Sequence, residues 1–244
     1  MTICHSWNSR VIIQPYKKRP WRATIQVRLV LRVPSGHSSF MHAYAILIDG
    51  GFVKRKLGTQ DVPMSAARLN SFVQALCACD ELRGLRLHRV YFYDAAPLSE
   101  VVKKPLAGGQ INFRENATAK RNSKLHQELA RLRYFALRMG ELDFRGWSLD
   151  PKKLDTSTTS IAVSADDLRP NITQKGVDMR IGMDIASLTL KKLVQVIVLV
   201  TGDSDFIPAM KFARREGTQL FLAPIGHRIK DAMHEHADIV LNVQ

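Results

Sequence analysis

Two apolar stretches constrain this chain more than any other feature: Ala43–Asp49, "AYAILID", and residues 194 to 203, "VQVIVLVTGD". Each is strand-sized, apolar without alternation, and closes on an aspartate beside glycine. An unbroken apolar run of this length suits a strand buried on both faces, which is the setting of a parallel sheet covered by helices. Further strand-like runs, "LRLHRVYFYDA" (85 to 95), "TQLFLAPIG" (218 to 226) and "DIVLNV" (238 to 243), are separated by stretches of helical periodicity. Residues 63 to 79 place Leu69, Phe72, Val73 and Leu76 at helical intervals after Pro63, and a helix after Gly176 runs to about Lys192. Another ends at Arg215 and is closed by Gly217, and a short one spans His227 to His236. The alternation predicts an α/β fold with a mostly parallel sheet, right-handed crossovers and helices on both faces.

The region between 96 and 175 reads less clearly. Residues 116 to 138 have the spacing of one basic amphipathic helix, with Leu125, Leu129, Leu132, Phe135 and Ala136 on its apolar side. "GELDFRGWSL" (140 to 149) reads as an edge strand or hairpin arm, and residues 150 to 164, rich in Ser, Thr and Lys, as a surface loop. Asp49-Gly50-Gly51 reads as a tight turn.

Half of the net charge of +14 resides in residues 1 to 48, which hold seven basic residues and no acid. Three readings of the first forty residues compete: an organelle transit segment, a nucleic-acid-binding arm, or sequence upstream of a true start at Met41. The last predicts that residues 1 to 40 are a dispensable, poorly ordered basic extension and that 41 to 244 form the folded domain. The remaining +7 suits a polyanionic partner. No apolar run reaches the roughly 18 residues of a membrane span. Three scattered cysteines argue against a disulfide framework and for a reducing, cytoplasmic setting. A homo-oligomer is left open by the sequence.

In an open parallel sheet, ligands sit beyond the carboxyl ends of the strands. Asp49, Asp94, Asp203 and Asp205 follow strands, and Asp178 opens a helix whose start faces the same rim. Carboxylates gathered there raise one another's pKa unless a cation intervenes. Capping is the alternative for Asp205 and Asp178. An oxygen-only donor set suits Mg²⁺ or Mn²⁺ rather than zinc, and such ions serve phosphodiester hydrolysis. Gly50, Gly51 and Gly202 would allow close backbone approach to a phosphate. Lys54 and Lys175, next to motif acids, are candidate substrate-binding cations, whereas Asp184 is expected to pair with Arg180.

"ILIDGG", "QKGVDMRIGMDIASL" and "IVLVTGDSDFIPAMKFARREGTQLFL", in that order, resemble the NYN-domain family of PIN-like proteins, including its LabA-like bacterial branch. The resemblance spans roughly residues 43 to 243. It implies a metal-dependent ribonuclease on a Rossmann-like three-layer α/β/α sheet, with RNA as partner and Asp49, Asp178, Asp203 and Asp205 as catalytic and metal-binding residues. Where many family members read D-G-x-N after the first strand, this chain has Phe52 in place of the asparagine, which offers no side-chain hydrogen bond to a water or phosphate. A non-catalytic RNA-binding or regulatory module is therefore the alternative. A haloacid-dehalogenase-like phosphohydrolase is disfavoured by Gly51, since that class carries a second acid there.

Overall fold

The structure, a computed structural model, describes residues 42–59, 61–154 and 159–243. The expected basic extension, residues 1 to 40, lies outside them. Strand β1 (Ala43–Asp49) occupies the middle of a seven-stranded sheet and is followed at once by helix α1 (Gly50–Lys56). The chain continues through α2 (Ala66–Cys77), β2 (Arg86–Ala95), a small antiparallel pair β3 (Val101–Lys103) and β4 (Gln110–Asn112), and α3 (Ala117–Leu129). A long β5 (Phe135–Leu149) and β6 (Leu168–Lys175) lead into α4 (Val177–Leu190). Then come β7 (Val196–Val200), α5 (Ile207–Arg215), β8 (Gln219–Leu222), α6 (Asp231–Glu235) and β9 (Ile239–Val240).

The strand order is β6-β5-β2-β1-β7-β8-β9, and every pairing is parallel except that of β5 with β6. The side chains of β1 alternate between two cores. Tyr44, Ile46 and Ile48 pack with Leu69, Phe72 and Leu76 of α2 and Leu125 and Leu129 of α3. Ala43, Ala45 and Leu47 face Ile181 and Ile185 of α4 and Met210 and Ala213 of α5. This is a three-layer α/β/α fold, and burial on both faces is why the central strands read as continuous apolar runs. No helix among the described residues is long and apolar enough to cross a membrane.

Two local expectations are corrected and a third is extended. The Asp49-Gly50-Gly51 segment is not a turn; Asp49 caps α1, its Oδ1 accepting from the Phe52 N–H at 3.0 Å. Residues 116 to 138 are not one helix. The helix stops at Leu129, Tyr134 adopts a left-handed φ of 67°, and Phe135 begins β5. Leu132, Phe135 and Leu137 still pack on the same core as Leu125 and Leu129, while Ala136 packs on the other, the alternation of a strand. Finally, the expected arm at 140 to 149 is the second half of β5. Its first half pairs with β2, and residues 141 to 149 pair with β6, a strand whose mostly exposed side chains and Pro170 suit an edge.

Candidate active site

The register of the central strands brings the acids together. Asp49 is level with Tyr93 of β2, and Ile48 with Val200 of β7. Thr201, fully buried just past β7, therefore meets Asp49: its hydroxyl donates to Asp49 Oδ2 at 3.1 Å and accepts from the Asp203 N–H at 3.2 Å. Asp203 Oδ1 accepts from the Asp205 N–H at 2.9 Å and so caps the short 3-10 turn Ser204–Phe206. The cap is thus Asp203, not Asp205. Asp178 is the second residue of α4, a helix begun by Gly176 at a φ of 74° without a side-chain cap. Burial at the rim, together with the charges of Asp49, Asp203 and Asp205, holds the Asp178 carboxyl above its ordinary range. The other three carboxylates thus lie near enough for their charge to act on Asp178.

They are not drawn into a closed ligand shell. No group of three or more His, Cys, Asp or Glu side chains among the described residues stands at metal-holding spacing. Asp49 is held by Phe52 and Thr201, and Asp203 by the turn it caps. Asp178 and Asp205 make no side-chain hydrogen bond among the described residues, so their carboxylates are not tied to a partner there.

The remaining candidates are engaged elsewhere. Lys54 Nζ donates to both carboxylate oxygens of Asp94, at 2.9 and 2.8 Å, and His126 Nε2 lies 2.7 Å from Asp94 Oδ2. Asp94 is 2% exposed. Burial alone would raise its pKa, but the His126 hydrogen bond and Lys54 outweigh burial and leave it below the usual carboxylate value. It therefore anchors α1 and α3 to β2 and is closed to a metal. Lys175 Nζ faces Asp143 across the β5–β6 pair, where Arg145 joins it. Asp184 does not pair with Arg180, which turns back to the Gly176 carbonyl at 2.8 Å. Instead Asp184 accepts from the Tyr93 hydroxyl and from Arg138 Nε, both at 2.9 Å. Tyr93 is fully buried, and its hydroxyl needs a partner there.

Two of the glycines are demanded by packing rather than by phosphate approach. A Cβ on Gly50 would collide with the Tyr93 carbonyl oxygen, and one on Gly202 with the His227 ring. Phe52 is 5% exposed, its ring edge-on to His227 with centroids 5.8 Å apart, so its side chain forms floor beneath the rim while its backbone serves Asp49. Two participants escaped sequence reasoning. Thr201 has a weak signal, its place between a buried strand and GD; His126 has another, its place beside Leu125 on the buried side of α3.

The family profile described as NYN domain matches residues 91–242, from β2 to β9, and includes Asp178, Asp203 and Asp205 while Asp49 lies ahead of it. A crystal structure of a protein of unknown function from Vibrio parahaemolyticus RIMD 2210633 is similar at 11% identity, covering 85% of this chain and 96% of that one with a TM-score of 0.47. No curated protein matches. As the profile covers more than half of the sequence, the chain belongs to the NYN domain family.

Proposed function

We propose that this chain is a metal-dependent endoribonuclease that hydrolyses RNA phosphodiester bonds at the rim of Asp49, Asp178, Asp203 and Asp205, with Mg²⁺ or Mn²⁺ as cofactor. The observation that carries the reading is the hydrogen-bond chain Asp49–Thr201–Asp203 at the strand ends, with Asp178 near enough that burial first and the neighbouring carboxylates second hold its pKa up. Folding brings like charges together here, and an oxygen-only set of this kind fits a hard divalent cation. When bound, such an ion supplies an activated water and stabilises the departing oxygen. The chain's own residues set the geometry. Thr201 and the Phe52 N–H fix the two oxygens of Asp49, and the Asp205 N–H fixes Asp203. Asp178 and Asp205 complete the set by rotating inward. Membership of the LabA-like branch, and a reducing cytoplasmic setting, belong to the same proposal.

The second reading, an RNA-binding module without chemistry, is favoured by one observation. Phe52 buries its side chain, so it presents no polar group to the rim. Incubating the purified protein with mixed RNA and Mg²⁺ or Mn²⁺ separates the two. Cleavage that is lost with chelator and falls about a hundredfold or more in Asp203→Asn supports the nuclease. RNA binding without cleavage under either metal selects the module.

A further inference from the structure

Away from the acids, two cavities share a wall of α3. The first, about 150 Å³, is lined by Pro97, Leu98, Phe113, Leu142, Pro170 and Ile172 together with Asn116, Thr118, Ala119 and Asn122. The second, about 180 Å³, is lined by Lys54, Thr59, Pro63, Met64, Arg121 and Leu125, and again by Thr118 and Asn122. Thr118 and Asn122 thus stand on the seam between an apolar slot and a cationic groove. Arg121 Nη2 donates to the Thr118 hydroxyl at 3.1 Å, which sets its guanidinium at that seam. Lys54 has its charge matched by Asp94, while Arg121 has no carboxylate partner among the described residues. Asn122 makes no side-chain hydrogen bond among them either.

We infer that this pair of cavities is a single-nucleotide subsite that takes an unpaired pyrimidine of RNA, with the base in the apolar slot and its phosphate at Arg121. Apolar walls and one unoccupied carboxamide are what a splayed-out base needs: faces to pack against and an edge to hydrogen-bond. The slot favours a pyrimidine, because its apolar walls enclose about 150 Å³, the scale of a site that covers a single six-membered ring, while its mouth stays open. A second fused ring would protrude. The guanidinium next door complements the phosphate, and its fork binds two phosphate oxygens at once. Location ties the subsite to the rim: Lys54, on the groove wall, is five residues along α1 from Asp49, or about 7 Å of helical rise. The inference rests on the nuclease reading only for the RNA it would present to that rim. A base reaches this slot only when unpaired, so single strands and loops are selected over duplex.

The test uses the full chain carrying Asp203→Asn, in chelator, with fluorescein-labelled oligouridylate, oligoadenylate and a blunt RNA duplex, read by fluorescence anisotropy. Oligouridylate is expected to bind about tenfold or more tighter than oligoadenylate, the scale on which a shaped pocket rejects an oversized group. Filling the slot from the exposed edge strand with Ile172→Trp should erase that preference while oligoadenylate binding holds. Arg121→Ala should weaken both single strands alike. Asn122→Ala, at a half-buried side chain with no hydrogen bond to lose among the described residues, should narrow the preference even if the tryptophan variant is poorly folded. Equal binding of the two single strands, stronger binding of the duplex, or a preference that survives both slot variants would overturn the inference. Failure of the nuclease reading looks different: the pyrimidine preference persists, while the unsubstituted protein cuts no RNA under either metal.

Discussion

Asp178 is a residue whose ionisation works against the fold. Its folded-state pKa lies above the unfolded value through rim burial and the charges of Asp49, Asp203 and Asp205. The sign follows from linkage: the carboxyl is neutral in both states at low pH, and as pH rises through the unfolded pKa and then the folded one, ionisation costs the folded state stability. In chelator at about pH 8, Asp178→Asn should therefore raise Tm by roughly 1–3 °C, a modest figure because the carboxyl is only partly withdrawn from solvent and remains screened. Lowering the pH toward about 4 should shrink the gain. Added Mg²⁺ should raise the Tm of the unsubstituted protein and raise that of the variant less, since binding to the native state alone stabilises it. Differential scanning fluorimetry across pH and Mg²⁺ reads all three. A variant less stable than the parent at pH 8 in chelator would show that Asp178 is held by attraction instead.

At the scale of elements, the β1–α1 junction is the tightest constraint on the rim. Gly50 begins α1 against β2, where a Cβ would meet the Tyr93 carbonyl oxygen, with the Phe92 ring at 2.9 Å and Asp94 Cβ at 3.1 Å behind it. A backbone oxygen yields less readily than a side chain, so Gly50→Ala should cost about 1–3 kcal/mol in denaturant unfolding. Gly51→Ala faces only Asp49 Oδ1 at 3.3 Å and Arg55 at 3.6 Å and should cost less. Equal losses would contradict the packing account. The same junction shows what was legible beforehand. β1 and β7 announce themselves because both of their faces are buried, and Asp49, Asp178 and Asp203 are readable because they follow or open such elements. The start of α1 was hidden because Asp-Gly-Gly suits a turn and a helix start equally, and only the Phe52 N–H bond to Asp49 decides. The α3–β5 boundary was hidden for another reason: Leu132 keeps helical phase with Leu125 and Leu129 although the helix has already ended at Leu129. The pairings of Lys54 with Asp94 and of Asp184 with Tyr93 join residues 40 and 91 positions apart, and no local spacing encodes them.

Across the whole molecule, the described residues at positions 43 to 243 build two cores, one on each face of the sheet. β1, the first of these elements, is also the central strand, paired on one side with β2 and on the other with β7. A chain beginning at Met41 keeps that strand and both of its partners. It loses seven basic residues, all seven that precede β1, and with them half of the net +14. The folded unit should then unfold cooperatively within a few degrees of the full chain, since a core left intact keeps its burial. If the RNA path runs along Arg121 and the rim, the salt dependence of oligouridylate binding should be unchanged as well, because that slope counts phosphates neutralised, at about 0.7 per contact for single strands. Thermal unfolding by circular dichroism and anisotropy titrations at several salt concentrations measure the two quantities. An insoluble or non-cooperative product would make residues 1 to 40 part of the fold, and a slope shallower by several contacts would make them an RNA-binding arm.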